Sequence, residues 1–456
     1  MTGLSPLQSL FDNCGTAELI TASTRVSATA LHHGANDWSR ALRRVGIMRG
    51  DRVLCALPNG EAFVQLLIAS LADGVTLVPV PVGDDVERLL DIIDARVAIS
   101  LSSTSAHVAV PSSAGGPPSA PLVPRRSSQR SDTIAFLLRS SGTTAEPKWV
   151  AIAERGVLAV LQSHLPLMAI DGASTLCILP WHHAFGLILG VLPALLRARR
   201  VVIPVADPRN TDAIVDVARQ HAVTHMSLVP LLASRLSAHA DGQQLLEQLA
   251  SGIVGGAPID ALLAARLATT RLRVGYGVTE ASPGIMLGEP GEFRAGLLGR
   301  PVGCAVRIDS DGVLAFTGPN MCDGYWIAGS LHALAPDRWH RTDDMVSVTA
   351  GTYSIVGRTA MNFKLSNGRM VEAPAIESTL RARVPQMVDA VLHSRDGVGL
   401  DLLYSTRNAM PIAREAVELA IGGLTQYLRT VTCIGVDEWQ RTSKGEIDRQ
   451  HLPAPR

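Results

Sequence analysis

The sequence predicts an α/β protein: a large N-terminal domain of mostly parallel sheets flanked by helices, a β-rich subdomain, and a small C-terminal α+β domain. In the first half of the chain, apolar strand-like runs alternate with helical stretches. Strands that are apolar throughout are typical of a parallel sheet covered on both faces. From residue 297 the chain changes to short strands separated by Gly and Asp turns, which indicates the β-rich subdomain.

The individual elements follow from hydrophobic spacing. Residues 26–48 place Leu31, Trp38, Leu42 and Val45 on one helical face, which predicts an amphipathic helix. Short apolar runs bounded by turn residues predict buried strands. The other predicted strands are 52–57, 75–82, 134–138, 175–179, 200–204 and 224–229, and the other predicted helices are 61–72, 187–197 and 211–220.

The length of 456 residues is enough for two or more domains. Residues 102–131 are rich in Ser, Pro, Ala, Gly and Arg, a composition that predicts a surface loop or linker. The segment beyond Gly357 has the length and pattern of a compact α+β domain. We therefore predict one domain over residues 1–357 and a second over residues 358–456.

Composition argues against several classes of function. The 41 basic and 41 acidic residues balance, so we expect no binding of nucleic acid or of an anionic membrane surface. Six scattered cysteines without CxxC spacing argue against a zinc cluster or a disulfide scaffold and favour a reducing cytoplasm. We expect no signal peptide and no membrane span, because the longest apolar stretch, residues 185–196, is too short.

A hydroxyl-rich loop follows the predicted strand 134–138. Gly142 lets the backbone approach a ligand, and Lys148 brings a positive charge, so the loop suits a polyphosphate. Its spacing differs from the GxxxxGK[ST] of a P-loop. Taken alone, the loop is equally typical of an ordinary turn. The hydroxyl side chains belong to Ser140, Ser141, Thr143 and Thr144.

This loop resembles the phosphate loop [ST]SGTTGxPKG of the adenylate-forming superfamily, which includes acyl-CoA synthetases, peptide-synthetase adenylation domains and luciferases. Four further segments match that superfamily and fall in its order. Any one of them has an ordinary structural interpretation, such as a core tyrosine or a turn aspartate, but their order identifies the fold. They are VGGAP at 254–258, YGVTE at 276–280, HRTDD at 340–344, and a junction at 357–369.

The resemblance implies ATP and Mg²⁺ as cofactors. Tyr276 would stack on adenine, Thr279 would reach the α-phosphate, and Glu280 would help to hold Mg²⁺. Asp344 would accept both ribose hydroxyls, and Arg358 would supply a second ribose contact. The GxG within VGYGVTE lacks the third glycine of a dinucleotide loop. The other implied ATP-binding residues are Ser140, Ser141, Gly142, Thr143, Thr144, Lys148, Gly256, Ala257, Pro258 and Gly277.

The segment WHHAFG at 181–186 resembles the superfamily's FHxxG segment at the mouth of the acyl pocket. The resemblance places His183 beside the carboxylate or its access tunnel, with Trp181, Gly255 and Val278 as further substrate contacts. A histidine pair after a buried strand is also found in metal sites. The sequence has no HExxH and no third ligand at a suitable spacing, which disfavours that interpretation.

The last motif departs from the superfamily. Its frame, QRTSKGEIDR at 440–449, carries Glu446 where relatives have a lysine that bridges the acid and the α-phosphate. A carboxylate there would repel both reacting anions, and loss of one preorganised charge contact costs roughly 10²–10³-fold in rate. Lys444 is the nearby ammonium that could replace it. The implied catalytic residues are Lys444, Glu280, Thr143 and Lys148.

Three further departures are milder. Ala145 and Trp149 replace phosphate-loop glycines, and Ala360 stands where the hinge usually has Asp or Lys. These changes suggest a specialised branch that serves secondary metabolism. The superfamily's C-terminal domain acts as a mobile lid, so we expect residues 358–456 to move relative to residues 1–357.

The resemblance implies a two-step ligase. A carboxylate attacks Mg–ATP to give an acyl-adenylate, and a phosphopantetheine thiol then displaces AMP. Compact size and the altered last motif resemble ligases of the aryl-polyene or xanthomonadin type, which load an aryl acid such as a hydroxybenzoate onto a holo-acyl carrier protein. Free CoA is the alternative acceptor. A degenerate adenylate-binding scaffold is the rival class; Glu446 favours it, whereas the intact YGVTE motif disfavours it.

Overall fold

The chain forms two compact units in the computed structural model. The first comprises Met1–Ala305 and Phe316–His340, and the second comprises Val306–Ala315 and Arg341–Arg456. The domain boundary at residues 357 and 358 stays a prediction. The residues that the structure describes are 17–21, 23–100, 108–109, 134–140, 148–204, 210–335, 337–358, 363–364, 370–371, 373–394, 398–442, 446–449 and 451–453.

An eight-stranded sheet forms one layer of the first unit. Its central strands are parallel and fully buried, as the continuous apolar runs predict. The edge that carries Trp149–Ala153 is antiparallel. In spatial order the strands are Ser330–Ala333, Gly324–Ile327, Trp149–Ala153, Ile134–Arg139, Thr76–Pro79, Arg52–Ala56, Val97–Ser100 and Val108–Ala109.

A five-stranded sheet forms a second layer, and all its pairs are parallel except the last. In spatial order its strands are His225–Met226, Ser174–Leu176, Arg200–Val202, Glu18–Ile20 and Arg25–Val26. Four more strands of the first unit follow one another in space and carry the predicted adenine-side segments. They are Ile253–Gly255, Arg273–Tyr276, Met286–Leu287 and Leu297–Pro301.

Helices cover these sheets with their apolar faces. The first helix, Ala28–Arg44, starts at Ser27, whose side chain accepts a hydrogen bond from the Ala30 N–H, and it buries Leu31, Trp38 and Leu42 as predicted. The other helical segments of this unit are Glu61–Asp73, Val86–Ile93, Glu154–Met168, Ala184–Gly186, Leu187–Val191 (a π-helix), Leu192–Arg197, Thr211–Gln220, Pro230–Ala238, Ala240–Gln248, Ala261–Leu267 and Thr279–Ala281 (a 3₁₀ turn).

The second unit has the β-rich part and the terminal α+β part that the sequence predicts. The β-rich strands are, in spatial order, Thr352–Arg358, His340–Thr349, Val313–Thr317 and Ala305–Ile308. Phe363–Lys364 and Met370–Val371 form an antiparallel pair. The terminal sheet is Met387–His393, Leu400–Thr406 and Leu428–Ile434, accompanied by helices Ala373–Arg383 and Arg414–Ile421 and the 3₁₀ turns Gly422–Tyr427 and Val436–Glu438.

Two further features bear on the class of protein. The five cysteines within the described ranges, Cys55, Cys177, Cys304, Cys322 and Cys433, are free thiols. Among the helices of the described chain, none combines the length and the hydropathy needed to cross a bilayer.

Two buried histidines make stability depend on pH. Burial lowers the pKa of both His164 and His225 to about 4, and hydrogen bonds to backbone groups offset this only in part. Between pH 6.5 and about 4, the unfolded imidazoles bind protons that the folded ones do not. We therefore expect the free energy of unfolding to be highest above pH 6.5 and to decrease as the pH falls from 6.5 to about 4.

Urea unfolding at pH 7 and at pH 5 measures this effect. The double variant His164→Gln/His225→Gln should lose much of the difference in unfolding free energy between the two pH values. An equal pH dependence in the wild type and the double variant would contradict the assignment.

Candidate active site

Glu280, the predicted Mg²⁺ residue, lies in the 3₁₀ turn Thr279–Ala281, close after the strand Arg273–Tyr276. The Tyr325 hydroxyl donates a hydrogen bond to Glu280 Oε1 at 3.3 Å. Burial, with the charge of Glu280 as a second cause, raises the pKa of Tyr325, so the phenol stays a neutral donor. The half-buried carboxylate is therefore oriented by a tyrosine that the sequence analysis did not identify.

Tyr325 also connects this carboxylate to the phosphate-loop lysine. It lies opposite Val150 in an antiparallel strand pair, and Lys148 Nζ lies 5.4 Å from the centroid of its ring. The Ser140 N–H donates to the Lys148 carbonyl at 2.8 Å, which joins the two described ends of the loop. The predicted contacts Ser141, Gly142, Thr143 and Thr144 lie outside the described residues.

Further positive charge lies beside this group. Arg338 Nη2 is 2.6 Å from His340 Nδ1. Burial, together with the positive charges of Arg338 and Lys148, lowers the pKa of His340 to about 4. His340 is thus neutral at neutral pH. Among the described residues, the basic side chains of Lys148 and Arg338 and the carboxylate of Glu280 are the kinds of group that a metal-bound polyphosphate requires.

The adenine-side segments are built from closely approaching backbone. Gly255 and Gly275 are register partners in a parallel pair, and a Cβ at Gly255 would lie 2.4 Å from the Gly275 carbonyl oxygen. A Cβ at Gly277 would lie 1.5 Å from the Pro283 carbonyl oxygen. Gly256 has a φ of +89°, which favours glycine. The backbone segments of this surface therefore pack closely against one another, and its contact with adenine stays a prediction.

The side chains around this surface are only partly covered. The half-buried residues are Ala257, Tyr276, Val278 and Thr279, while Pro258 is exposed. Their positions are compatible with ligand contact, and their individual roles stay predictions.

The predicted acid segment lies beside this surface. Trp181 is fully buried and its ring meets Phe63 edge-on at 5.1 Å between centroids. The rings of His182 and His183 are 4.4 Å apart, and a Cβ at Gly256 would lie 3.9 Å from Phe185 Cδ1. Within the described chain, no three His, Cys, Asp or Glu side chains cluster as metal ligands would.

His182 connects the acid segment to the phosphate-loop strand. Burial lowers the pKa of His182, the Asp84 charge opposes this shift, and the Arg139 charge adds to it. Arg139 and Asp84 form an ion pair at 2.8 Å. The structure thus brings the histidine pair close to the strand that leads into the phosphate loop.

The predicted ribose residues lie in the second unit. Asp344 is buried, and its Cα is the register partner of Arg358 in an antiparallel pair. The Asp344 N–H donates to Thr342 Oγ1 at 3.1 Å, and that hydroxyl donates to the Leu314 carbonyl at 3.0 Å. The backbone of Asp344 is therefore held firmly in place.

The last motif also lies in the second unit. The Thr442 N–H donates to the Glu446 carbonyl at 2.8 Å, and Arg441 pairs with Ile447 in an antiparallel bridge. Residues 441 and 442 are thus paired with residues 446 and 447, and the side chain of Glu446 is half-buried. Lys444 lies outside the described residues.

A family model described as "AMP-binding enzyme" matches residues 11–326 of this chain. The chain belongs to the AMP-binding enzyme family. This membership confirms the resemblance and the α/β fold inferred from the motifs.

Individual relatives agree with the family. A feruloyl-CoA synthase from an Amycolatopsis species is 28% identical over 405 residues, which cover 77% of this chain and 80% of the relative. A probable non-canonical nonribosomal peptide synthetase, CymA of Salinispora arenicola, is 27% identical over 486 residues, covering 96% of this chain and 6% of that protein. The crystal structure of ATP-bound MatB from Rhodopseudomonas palustris has a TM-score of 0.80 at 20% identity, covering 97% of both chains.

This AMP-binding enzyme therefore binds ATP and activates a carboxylic acid as an acyl-adenylate, as an AMP-forming acid–thiol ligase does. Its family match reaches from the N-terminal region through the strand that carries Tyr325. The residues around Glu280 described above all fall within that range or close after it.

The Tyr325 hydroxyl gives a first test of the site. We expect Tyr325→Phe to slow pyrophosphate release about 10-fold and to raise the Mg²⁺ concentration needed for half-maximal rate, because Glu280 loses the donor that orients it. The thermal unfolding midpoint should not change. Tyr353→Phe, the same change in the second unit, is the matched control. A normal Mg²⁺ dependence in Tyr325→Phe would contradict this positioning role.

Proposed function

We propose that Mg–ATP binds with its phosphates near Lys148 and that Glu280 supplies the protein ligand of Mg²⁺. The Tyr325-oriented carboxylate is the single observation that carries this proposal. Mg²⁺ is commonly bound in such sites by one or two carboxylates together with substrate phosphates, and Glu280 fits that requirement. When bound, the ion would neutralise phosphate charge.

The protein residues then have distinct tasks in the first step. Lys148 would neutralise charge on the phosphates, and Tyr276 would hold the adenine. Asp344 and Arg358 would fix the ribose, which keeps the α-phosphorus in place for in-line attack. His183 would lie at the entrance for the acid. Such a reaction depends mainly on positioning and on charge neutralisation.

We further propose that the substrate is an aryl acid such as a hydroxybenzoate, and that the acceptor is the phosphopantetheine thiol of a holo-acyl carrier protein. Similarity to a feruloyl-CoA synthase supports an aryl acid. Similarity to a nonribosomal peptide synthetase supports a carrier-bound thiol. Residues 358–456 would move between the two half-reactions. The segment would cover the site in one way while pyrophosphate leaves and in another way while the thiol enters.

Free CoA is the second candidate acceptor, favoured by the same feruloyl-CoA synthase. The experiment is a competition in which the enzyme, ATP and a hydroxybenzoate are given equal concentrations of CoA and holo-carrier protein, and both thioesters are measured. We expect the carrier thioester to form faster. Faster formation of the CoA thioester would reject the carrier-protein proposal and leave the adenylation step untouched.

A further inference from the structure

A small cavity lies in the first unit beside the predicted acid segment. The strands Ser174–Leu176 and His225–Met226 form one wall, and Gly186 and Gly190 of the following helical segment form another. Trp181, a predicted substrate contact, also lines it. The cavity volume of about 10 Å³ is close to the space of one water molecule or one hydroxyl group.

Among the described residues that line this cavity, three have a buried polar side-chain atom without a hydrogen-bond partner. Thr175 and His225 are register partners in a parallel pair, so their side chains leave the sheet on the same face. Their exposed fractions are 3% and 2%, and Trp181 is fully buried. Thr175 Oγ1, His225 Nδ1 and Trp181 Nε1 have no hydrogen-bond partner among the described residues. Such orphaned atoms are costly unless a ligand satisfies them.

The chemistry of these atoms restricts what can fill the cavity. Burial lowers the pKa of His225, so the ring is neutral, and a hydrogen bond to the Met168 backbone engages it. Because Nδ1 is the nitrogen without a partner among the described residues, we place the ring proton on Nε2, which leaves a lone pair on Nδ1. Trp181 Nε1–H can only donate, and the Thr175 hydroxyl can do either. One hydroxyl group satisfies both kinds of partner. A carboxylate would meet an acceptor and no cation, because none of the described residues that line the cavity is Lys or Arg.

We propose that this cavity receives a hydroxyl group at the end of the acid opposite its carboxylate, and that Thr175, His225 and Trp181 thereby select hydroxylated acids. The hydroxyl would donate to His225 Nδ1 and accept from Trp181 Nε1. This inference rests on the proposed function, because it assigns the acid to the site beside Trp181. It also implies that acids with a second carboxylate at that end are rejected.

The test is ATP–pyrophosphate exchange with matched acids. The pairs are 3- and 4-hydroxybenzoate against benzoate, and 6-hydroxyhexanoate against hexanoate, with terephthalate as the dicarboxylate. We expect the better hydroxylated acid to exceed its unsubstituted partner about 10- to 100-fold in kcat/KM, because the partner leaves buried polar atoms unpaired. Terephthalate should not react. Equal or greater kcat/KM for the unsubstituted acids would overturn the proposal.

Two variants connect that preference to the cavity. Thr175→Val removes the hydroxyl at nearly constant volume. Gly190→Ala adds a methyl group to the lining of the cavity. The fold accommodates this methyl group, because its Cβ would lie 3.5 Å from the Phe185 carbonyl oxygen, an ordinary contact distance. Each should reduce the hydroxylated-to-unsubstituted ratio about 10-fold at an unchanged unfolding midpoint. Ile178→Val, an apolar change in the same lining, should keep the wild-type ratio.

The possible outcomes separate two claims. An unchanged ratio in both Thr175→Val and Gly190→Ala, with the wild-type preference present, would show that another part of the site reads the hydroxyl and would reject this inference. If ATP binds and no acid drives exchange, the proposed function itself fails, and this inference fails with it.

Discussion

Replacing Glu280 by Ala is expected to lower acid-dependent pyrophosphate release roughly 10²–10³-fold, the range for loss of a preorganised electrostatic contact. Glu280 is the one carboxylate that the motifs assign to Mg²⁺, and Tyr325 holds its Oε1 at 3.3 Å. Without it, a bound Mg²⁺ would lose its protein ligand, and negative charge on the leaving pyrophosphate would be less well neutralised. Initial rates of pyrophosphate release measure the effect.

A second substitution separates charge from shape. Glu280→Gln keeps an oxygen that can accept from Tyr325 but removes the negative charge, so we expect a loss similar to that of Glu280→Ala. Glu87→Gln, at an exposed position in the helix Val86–Ile93, is the matched control and should react normally. Near wild-type turnover in Glu280→Gln would mean that the carboxylate does not serve the metal.

The second large effect is expected at the last motif. Lys444→Ala should lower adenylate formation roughly 10²–10³-fold, because Lys444 is the ammonium we expect to bridge the acid and the α-phosphate in place of the usual lysine. Glu446→Gln should be tolerated, since its carboxylate would only repel the two anions. Single-turnover formation of the acyl-adenylate, measured apart from thiol transfer, checks both variants.

The double variant Lys444→Ala/Glu446→Lys tests the same idea by rescue. It restores a lysine at the position that relatives use, so we expect much of the lost adenylation to return. If Lys444→Ala reacts at the wild-type rate, Lys444 has no such role, and cations of the first unit such as Lys148 carry the charge.

The sequence predicted elements best where local signals agreed. The helix Thr211–Gln220 has the predicted bounds, because Asn210 caps it by accepting from the Ala213 N–H and its apolar residues lie on one face. The helix Glu154–Met168 was not predicted. Gly156 and Pro166 disfavour helix locally, whereas burial of Val157, Val160 and Leu161 favours it only in the folded chain.

Strand ends were less predictable, because they depend on the partner strand. The predicted strand 224–229 pairs with Ser174–Leu176 only at His225 and Met226, whereas isolated bridges join His225 to Ser251 and Leu228 to Val254 on its other side. No local pattern in the sequence encodes where pairing to each neighbour stops.

Only the site residues that belong to a sequence motif could be predicted. Glu280 and Lys148 belong to motifs. Tyr325 does not, and it contacts Glu280 because its strand pairs with Trp149–Ala153. The pairing of Thr175 with His225 likewise depends on the register of two strands distant in sequence. A tyrosine and a histidine within short strands look like ordinary core residues, so their roles required the tertiary structure.

Acid-dependent ATP–pyrophosphate exchange tests the central claim most directly. The intact protein, Mg²⁺, ATP and labelled pyrophosphate are combined with each acid of a panel of aryl and aliphatic acids. We predict exchange with at least one aryl acid, none without acid, and its loss in Glu280→Ala. ATP binding without exchange for any acid would contradict the account and identify an adenylate-binding scaffold instead.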